Sequence, residues 1–172
     1  MLGRSWGLPT CGTRLEIPQQ GQEHSTGSCP LRLKNRRYLH MTLECRLAGF
    51  YTTAHDCAVV TAVSRAPSDS RHGRTHFLRG VRGLQRWIDY LWRRKHHYYL
   101  GEWHFHPGGP PRPSFTDTEQ MKKFAASPDY QCPEPLLVII GGTPPETWTV
   151  AACVFPRGQG VVELLRVNEG HI

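Results

Sequence analysis

His104 and His106 stand one residue apart, and Pro107 follows them directly. Seven residues separate His106 from Ser114, and two more separate Ser114 from Asp117. Tyr98, Tyr99, Trp103 and Phe105 give the stretch leading in the character of a strand. If that strand runs on through the histidines, period-two alternation sets both imidazoles on one face and Phe105 on the other. Pro107 and Gly108-Gly109-Pro110-Pro111 then end it, since neither proline nor this turn composition continues a ladder. Two His and one Asp form a three-ligand set that zinc accepts, leaving the fourth position to water as in a catalytic site. Plainer readings stand beside this one. Ser114-Phe115-Thr116-Asp117 is also a helix capping box, with Asp117 in place of the usual Glu or Gln. Paired strand histidines are often no more than partly exposed polar residues.

The elements that would position these residues follow from hydrophobic period and turn chemistry. Leu43–Thr52 and Cys57–Ser64 are apolar, β-branched-rich runs around Thr53-Ala54-His55-Asp56, the pattern of a hairpin. Gly80–Lys95 sets Val81, Leu84, Ile88 and Leu91 at helical spacing, predicting an amphipathic helix of about four turns with a polar face of Arg82, Arg86, Arg93 and Arg94. A second helix is expected from Phe115 to Ala126, with Met121, Phe124 and Ala125 inward. Three strands follow, at 135–141, 147–155 and 160–167. Leu136-Leu137-Val138-Ile139-Ile140 is apolar on both faces and is expected to be central and covered on both sides. The expected fold is α+β (mixed α/β), a single domain with a curved sheet flanked by helices. Residues 1–43 read as an irregular N-terminal segment and 44–172 as the catalytic domain. Within the former, Thr13–Pro18 suggests a short edge strand.

A chain of 172 residues is long enough to bury a true core. It holds no run of eighteen apolar residues, and Met1–Thr10 lacks the apolar core of a signal peptide. Six cysteines, at 11, 29, 45, 57, 132 and 153, include no Cys-x-x-Cys pair and read as reduced thiols, which points to the cytoplasm. Between Arg65 and His97, nine Lys or Arg face two Asp, a net +7 that equals the charge of the whole chain. That region reads as a solvated helix face, as a surface for an acidic partner, or as an attraction for nucleic acid. No nucleic-acid motif accompanies it, and packing accounts better for Trp87 and Trp92 than base stacking does.

The full spacing His-x-His-Pro, seven residues, Ser-x-x-Asp resembles the signature of the JAMM (Mov34/MPN/PAD-1) metalloproteases. The segments Asp69–Thr75 with Phe77, and Leu100-Gly101-Glu102-Trp103-His104, look like the bacterial branch, found with integrative elements and antiphage ubiquitin-like conjugation operons. The resemblance implies an MPN/JAB-like fold and one Zn2+ held by His104, His106 and Asp117, with Ser114 steadying the oxyanion. It implies a Glu on an earlier strand as general base, and Glu44 stands sixty residues before His104, about where the family keeps it. Glu102, on the same strand face as His104, is the competitor. The implied activity is isopeptide or peptide hydrolysis after the C-terminus of a ubiquitin-like protein or a conjugated signalling enzyme. E1- and E2-like operon partners go with that reading. Three departures mark this chain. Phe105 replaces the usual Ser or Thr, on the face turned from the metal. A glycine follows Glu44 two residues early, and a shift of two residues moves a side chain by ~7 Å. Gly21, Gly27 and Pro30 interrupt the region where the family has a helix. The alternatives are a metal-free MPN scaffold and a basic DNA-associated protein of a mobile element.

Overall fold

In the computed structural model, the described residues are 4–7, 14–17, 43–53, 57–72, 77–78, 80–143 and 146–167. The two apolar runs form strands β3 (Leu43–Tyr51) and β4 (Cys57–Val63), paired antiparallel as the turn between them requires. They follow β1 (Arg4–Gly7) and β2 (Arg14–Ile17), and a small separate pair, β5 (Arg71–His72) with β6 (Phe77–Leu78), follows them. Next come α1 (Leu84–Lys95), β7 (Tyr98–Pro107), α2 (Phe115–Ala126), β8 (Leu136–Thr143), β9 (Thr147–Val154) and β10 (Val162–Val167). Six strands in the order β10-β9-β8-β7-β3-β4 make the curved mixed sheet, and β1 and β2 bridge its two ends into a closed barrel. The α+β expectation holds. The strand expected near Thr13–Pro18 is present as β2, but it lies between β1 and β4 and has no free edge. Residues 18–42, where the family's preceding helix would fall, lie outside the described residues.

Alternation sorts the side chains into two cores. Cys45, Leu47, Leu100, Trp103, Phe105, Leu136, Val138 and Ile140 pack inside the curve with residues of β4, β9 and β10. On the other face Leu137, Ile139, Cys153 and Phe155 pack with Met121 of α2, and Phe124 packs against them. β8 lies between β7 and β9 and is buried on both faces, as its unbroken apolar run requires. Met121 and Ala125 are buried and Phe124 is half-buried, which matches the expected inward face of α2.

The first helix is shorter than its apolar spacing predicts. It begins at Leu84, after Gly83 turns left-handed at φ 83°, and Val81 is 70% exposed. The physical reason lies upstream. Asp69 accepts hydrogen bonds from the backbone amides of Val81 and Arg82, and Ser70 Oγ accepts one from Gly80. Those amides are held by a loop rather than by a helical turn. Among the described residues, no helix is long and apolar enough to cross a membrane.

Sheet pairing at the site strand depends on close approach. β7 runs parallel to β8, with Gly101 opposite Leu136. A Cβ on Gly101 would strike the Leu136 carbonyl oxygen. Gly101→Ala should therefore destabilise the fold by about 1–3 kcal/mol, the usual cost of overpacking. Gly160→Ala, with open space around the added methyl, should stay within about 0.5 kcal/mol of wild type. Urea midpoints of the two variants check this, and equal midpoints would show that the β7–β8 approach is not the constraint.

Candidate metal centre

Strand β7 carries the histidines, and a bulge aims them. Leu47 pairs with Gly101 but Ala48 pairs with Tyr99, so Leu100 is an extra residue in the β7 ladder. Leu100, Trp103 and Phe105 enter the inner core. Glu102, His104 and His106 alternate with Trp103 and Phe105, and so take the outer face that α2 covers. Phe105 is fully buried in the inner core, turned from the histidines. His104 is buried at 1% exposure, whereas the His106 side chain keeps 21%, so the pair has one shielded nitrogen donor and one at the opening.

The third member arrives through the cap of α2. Ser114 has extended backbone angles, and its Oγ accepts from the Asp117 amide at 3.1 Å. In return Asp117 Oδ2 accepts from the Ser114 amide at 2.7 Å. The capping box is complete, and it holds the carboxylate against the strand. Asp117 Oδ1 lies 2.8 Å from His104 Nδ1, and Oδ2 lies 3.5 Å from His106 Nε2. One ligand atom from each of the three residues falls within 4.8 Å of the others. Donors bound tetrahedrally to zinc at ~2.0–2.1 Å sit roughly 3.3 Å apart, so small side-chain adjustments suffice to enclose such an ion. Burial pushes the Asp117 carboxyl up. Hydrogen bonding and charge from His104, with hydrogen bonds from Ser114, outweigh it and hold the group at about 2. The carboxylate is thus ionised at neutral pH, as a metal ligand must be. Two imidazoles and one carboxylate suit a divalent transition metal. Among the described residues no other group of His, Cys, Asp and Glu converges in this way.

The loop between His106 and Ser114 is seated on β8. Gly108 donates to the Gly142 carbonyl at 2.9 Å, and Gly109 donates to that of His106 at 3.1 Å. Gly141 lies opposite His106, and a Cβ there would strike Gly109 and Pro111. The seven-residue spacing is therefore the length of chain that crosses from the end of β7 to the start of α2 over a glycine floor.

The structure pairs Glu44 of β3 directly with His104 of β7. Directly opposed residues of an antiparallel pair share a sheet face. The Glu44 side chain itself lies outside the described residues. Glu102 is one rung further on, opposite Arg46, and is fully buried. Its Oε1 accepts from the Tyr99 hydroxyl at 3.0 Å and lies 4.0 Å from Arg46 Nε. The guanidinium in turn lies over the rings of Tyr99 and Tyr130 and donates to the Tyr130 hydroxyl at 3.4 Å. This Arg46–Glu102–Tyr99–Tyr130 cluster was not anticipated from sequence. Only the strand register brings Arg46 and Glu102 together, and nothing local to Tyr130 signals its place there.

Thiol chemistry finds no support at the described cysteines. Cys45, Cys57, Cys132 and Cys153 are buried and form no disulfide. Burial pushes the Cys132 thiol up to about 12 and that of Cys153 up to about 11. Such groups stay protonated and poorly nucleophilic at neutral pH. Cys11 and Cys29 lie outside the described residues.

Comparison with known proteins agrees with this geometry. Residues 43–152 match the family described as prokaryotic homologs of the JAB domain. An Enterobacter hormaechei protein named "CD-NTase/cGAS isopeptidase" is 44% identical over 70% of this chain and 67% of its own length. A Sinorhizobium fredii protein named "Probable metalloprotease y4qB" is 29% identical over 58% of this chain and 62% of its own. The solution structure of a Desulfitobacterium hafniense protein shares the fold, with a TM-score of 0.51 and 21% identity over 73% of this chain and 75% of that one. With its matched domain, its curved sheet and its His-His-Asp cluster, the chain belongs to the prokaryotic JAB domain family.

Proposed function

We propose that this chain is a zinc-dependent isopeptidase that hydrolyses the bond after the C-terminus of a conjugated protein. The observation that carries the reading is the capped carboxylate: Asp117, held anionic by Ser114 and His104, converges with both histidines. His104, His106 and Asp117 would hold the ion. When bound, zinc supplies an acidified water and polarises the scissile carbonyl. The similarity to a protein named as a CD-NTase/cGAS isopeptidase supports a conjugated signalling enzyme of that class as substrate, with a ubiquitin-like conjugate as the broader class.

Two further residues take the proton and the developing charge. Glu44 is the proposed general base: it would take the proton of the attacking water and pass it to the leaving amine. Its register opposite His104 supports this, because the early glycine has not moved it off that rung. Glu102 is a poor competitor, since its carboxylate is engaged with Tyr99 and Arg46. Ser114 is the proposed oxyanion donor. Its Oγ accepts the Asp117 amide through a lone pair, and its hydroxyl hydrogen, which also serves the Asp117 carboxylate, would turn to a substrate oxygen. Capping and catalysis are compatible in one side chain. No covalent acyl-enzyme is required, in keeping with the inert thiols of Cys132 and Cys153.

The alternatives differ in what they expect of the metal. A metal-free scaffold has no use for an ionised Asp117 set between two histidines. For the enzyme, His104→Ala, His106→Ala and Asp117→Ala should each lower zinc from one per chain and abolish hydrolysis of a CD-NTase or ubiquitin-like C-terminal fusion. Ser114→Ala should keep zinc and lose about 10²–10³-fold in kcat. Lost stability with unchanged turnover per folded molecule would leave Ser114 as a cap alone, worth about 1 kcal/mol.

The two glutamates should separate cleanly. Glu44→Gln is expected to retain zinc while kcat falls at least about 10²-fold. Glu102→Gln should have the milder effect on kcat and the larger effect on stability, because it weakens a buried pair with Arg46. Wild-type activity of Glu44→Gln at matched zinc occupancy would sink the base assignment.

A further inference from the structure

Helix α1 presents a surface that the metal centre does not use. Tyr90 is 59% exposed, and on a helix its surface neighbours are Arg86 four residues before it and Arg93 and Arg94 three and four after. All three arginines are exposed. Among the described residues no carboxylate lies within ion-pair distance of them, and none of them stacks on the Tyr90 ring. The one acid on the helix, Asp89, accepts instead from Gln85 Nε2 at 2.9 Å. An exposed aromatic ringed by arginines that make no ion pair among the described residues has the composition of a protein-binding hot spot. A face kept only for solvation is better served by lysine and glutamate mixed in sign.

We propose that this face docks an acidic patch on the folded body of the protein substrate, with Tyr90 as anchor and Arg86, Arg93 and Arg94 pairing with carboxylates. This rests on the isopeptidase reading above and adds a second contact to it. The helix ends at Lys95, and β7 begins at Tyr98, six residues before His104. At about 3.3 Å per residue the start of that strand is roughly 20 Å from the ligand. Docking here would hold the body of a conjugate while its tail reaches the metal. Nucleic acid fits less well. Phosphates need a continuous cationic track, whereas the chain outside 65–97 is neutral in sum and Asp89 interrupts the helix.

The test compares wild type with the triple variant Arg86→Glu/Arg93→Glu/Arg94→Glu, both checked for the same melting temperature. The probes are a CD-NTase fused through its C-terminus to a fluorescent protein, and a short peptide spanning the same junction. We expect the variant to raise KM for the fusion at least about tenfold, in the range of lost charge pairs at interfaces. Its kcat, and its kcat/KM for the peptide, should be unchanged. Tyr90→Ala should act in the same direction. Unchanged KM for the fusion overturns the proposal, as does an equal loss on fusion and peptide. Tighter wild-type binding to duplex DNA than to the fusion, abolished in the variant, overturns it in favour of nucleic acid. If wild type cleaves neither probe with zinc bound, the isopeptidase reading fails, and docking is judged separately by the Kd for the fusion in chelator. A weaker Kd in the variant then sustains it, and an equal Kd overturns it.

Discussion

The reciprocal hydrogen bonds at the start of α2 are the constraint on which the site depends. A capping box ordinarily satisfies amides that a helix start leaves without partners. Here its second member is the candidate ligand, so the bonds that begin the helix also fix the direction of the Asp117 carboxylate. The amide of Ser114 holds Oδ2, leaving Oδ1 toward His104. Met121 and Ala125 then anchor the helix against the sheet. The two bonds divide the work: Ser114 Oγ satisfies the helix amide, while the Ser114 backbone amide, present whatever the side chain, orients the carboxylate.

The sheet contributes register. β7 must place two histidines outward and two large apolar side chains inward within four residues, and the bulge at Leu100 sets that phase. Its partner β3 carries Glu44 and Arg46 on consecutive same-face rungs, opposite His104 and Glu102. A slip of two residues would keep every side chain on its face yet set Arg46 against His104. The Arg46–Glu102 contact, enclosed by Tyr99 and Tyr130, exists only in the observed register. Such a buried pair is a poor source of net stability, and its weight here lies in being available to one register only. In this sheet that arrangement is the one that puts a carboxylic residue opposite the buried histidine.

Much of this was readable before the structure, and the reasons are local. The 43–64 hairpin, the two-sided strand 136–140 and the helix at 115–126 follow from period, turn residues and a cap, all short-range signals. The convergence of His104, His106 and Asp117 is legible because they sit on one strand and the next helix, close in sequence. What was missed depends on long-range facts. The apolar spacing starts α1 at Gly80, four residues too early, because Asp69 and Ser70, far upstream, hold the amides of 80–82. Thr13–Pro18 reads as an edge strand because nothing in Arg14–Ile17 names the two neighbours of β2. The Arg46–Tyr130 contact joins residues 84 positions apart, and sequence carries no signal for it.

His104, His106 and Asp117 are the proposed ligands of one zinc ion. X-ray absorption at the zinc K edge, on protein loaded with one equivalent, tests that assignment most directly. Nitrogen and oxygen neighbours alone are expected, at about 2.0–2.2 Å, with the outer-shell scattering of two imidazoles. A sulfur neighbour near about 2.3 Å would instead place the ion on cysteine thiolates, and the metal centre described here would be wrong.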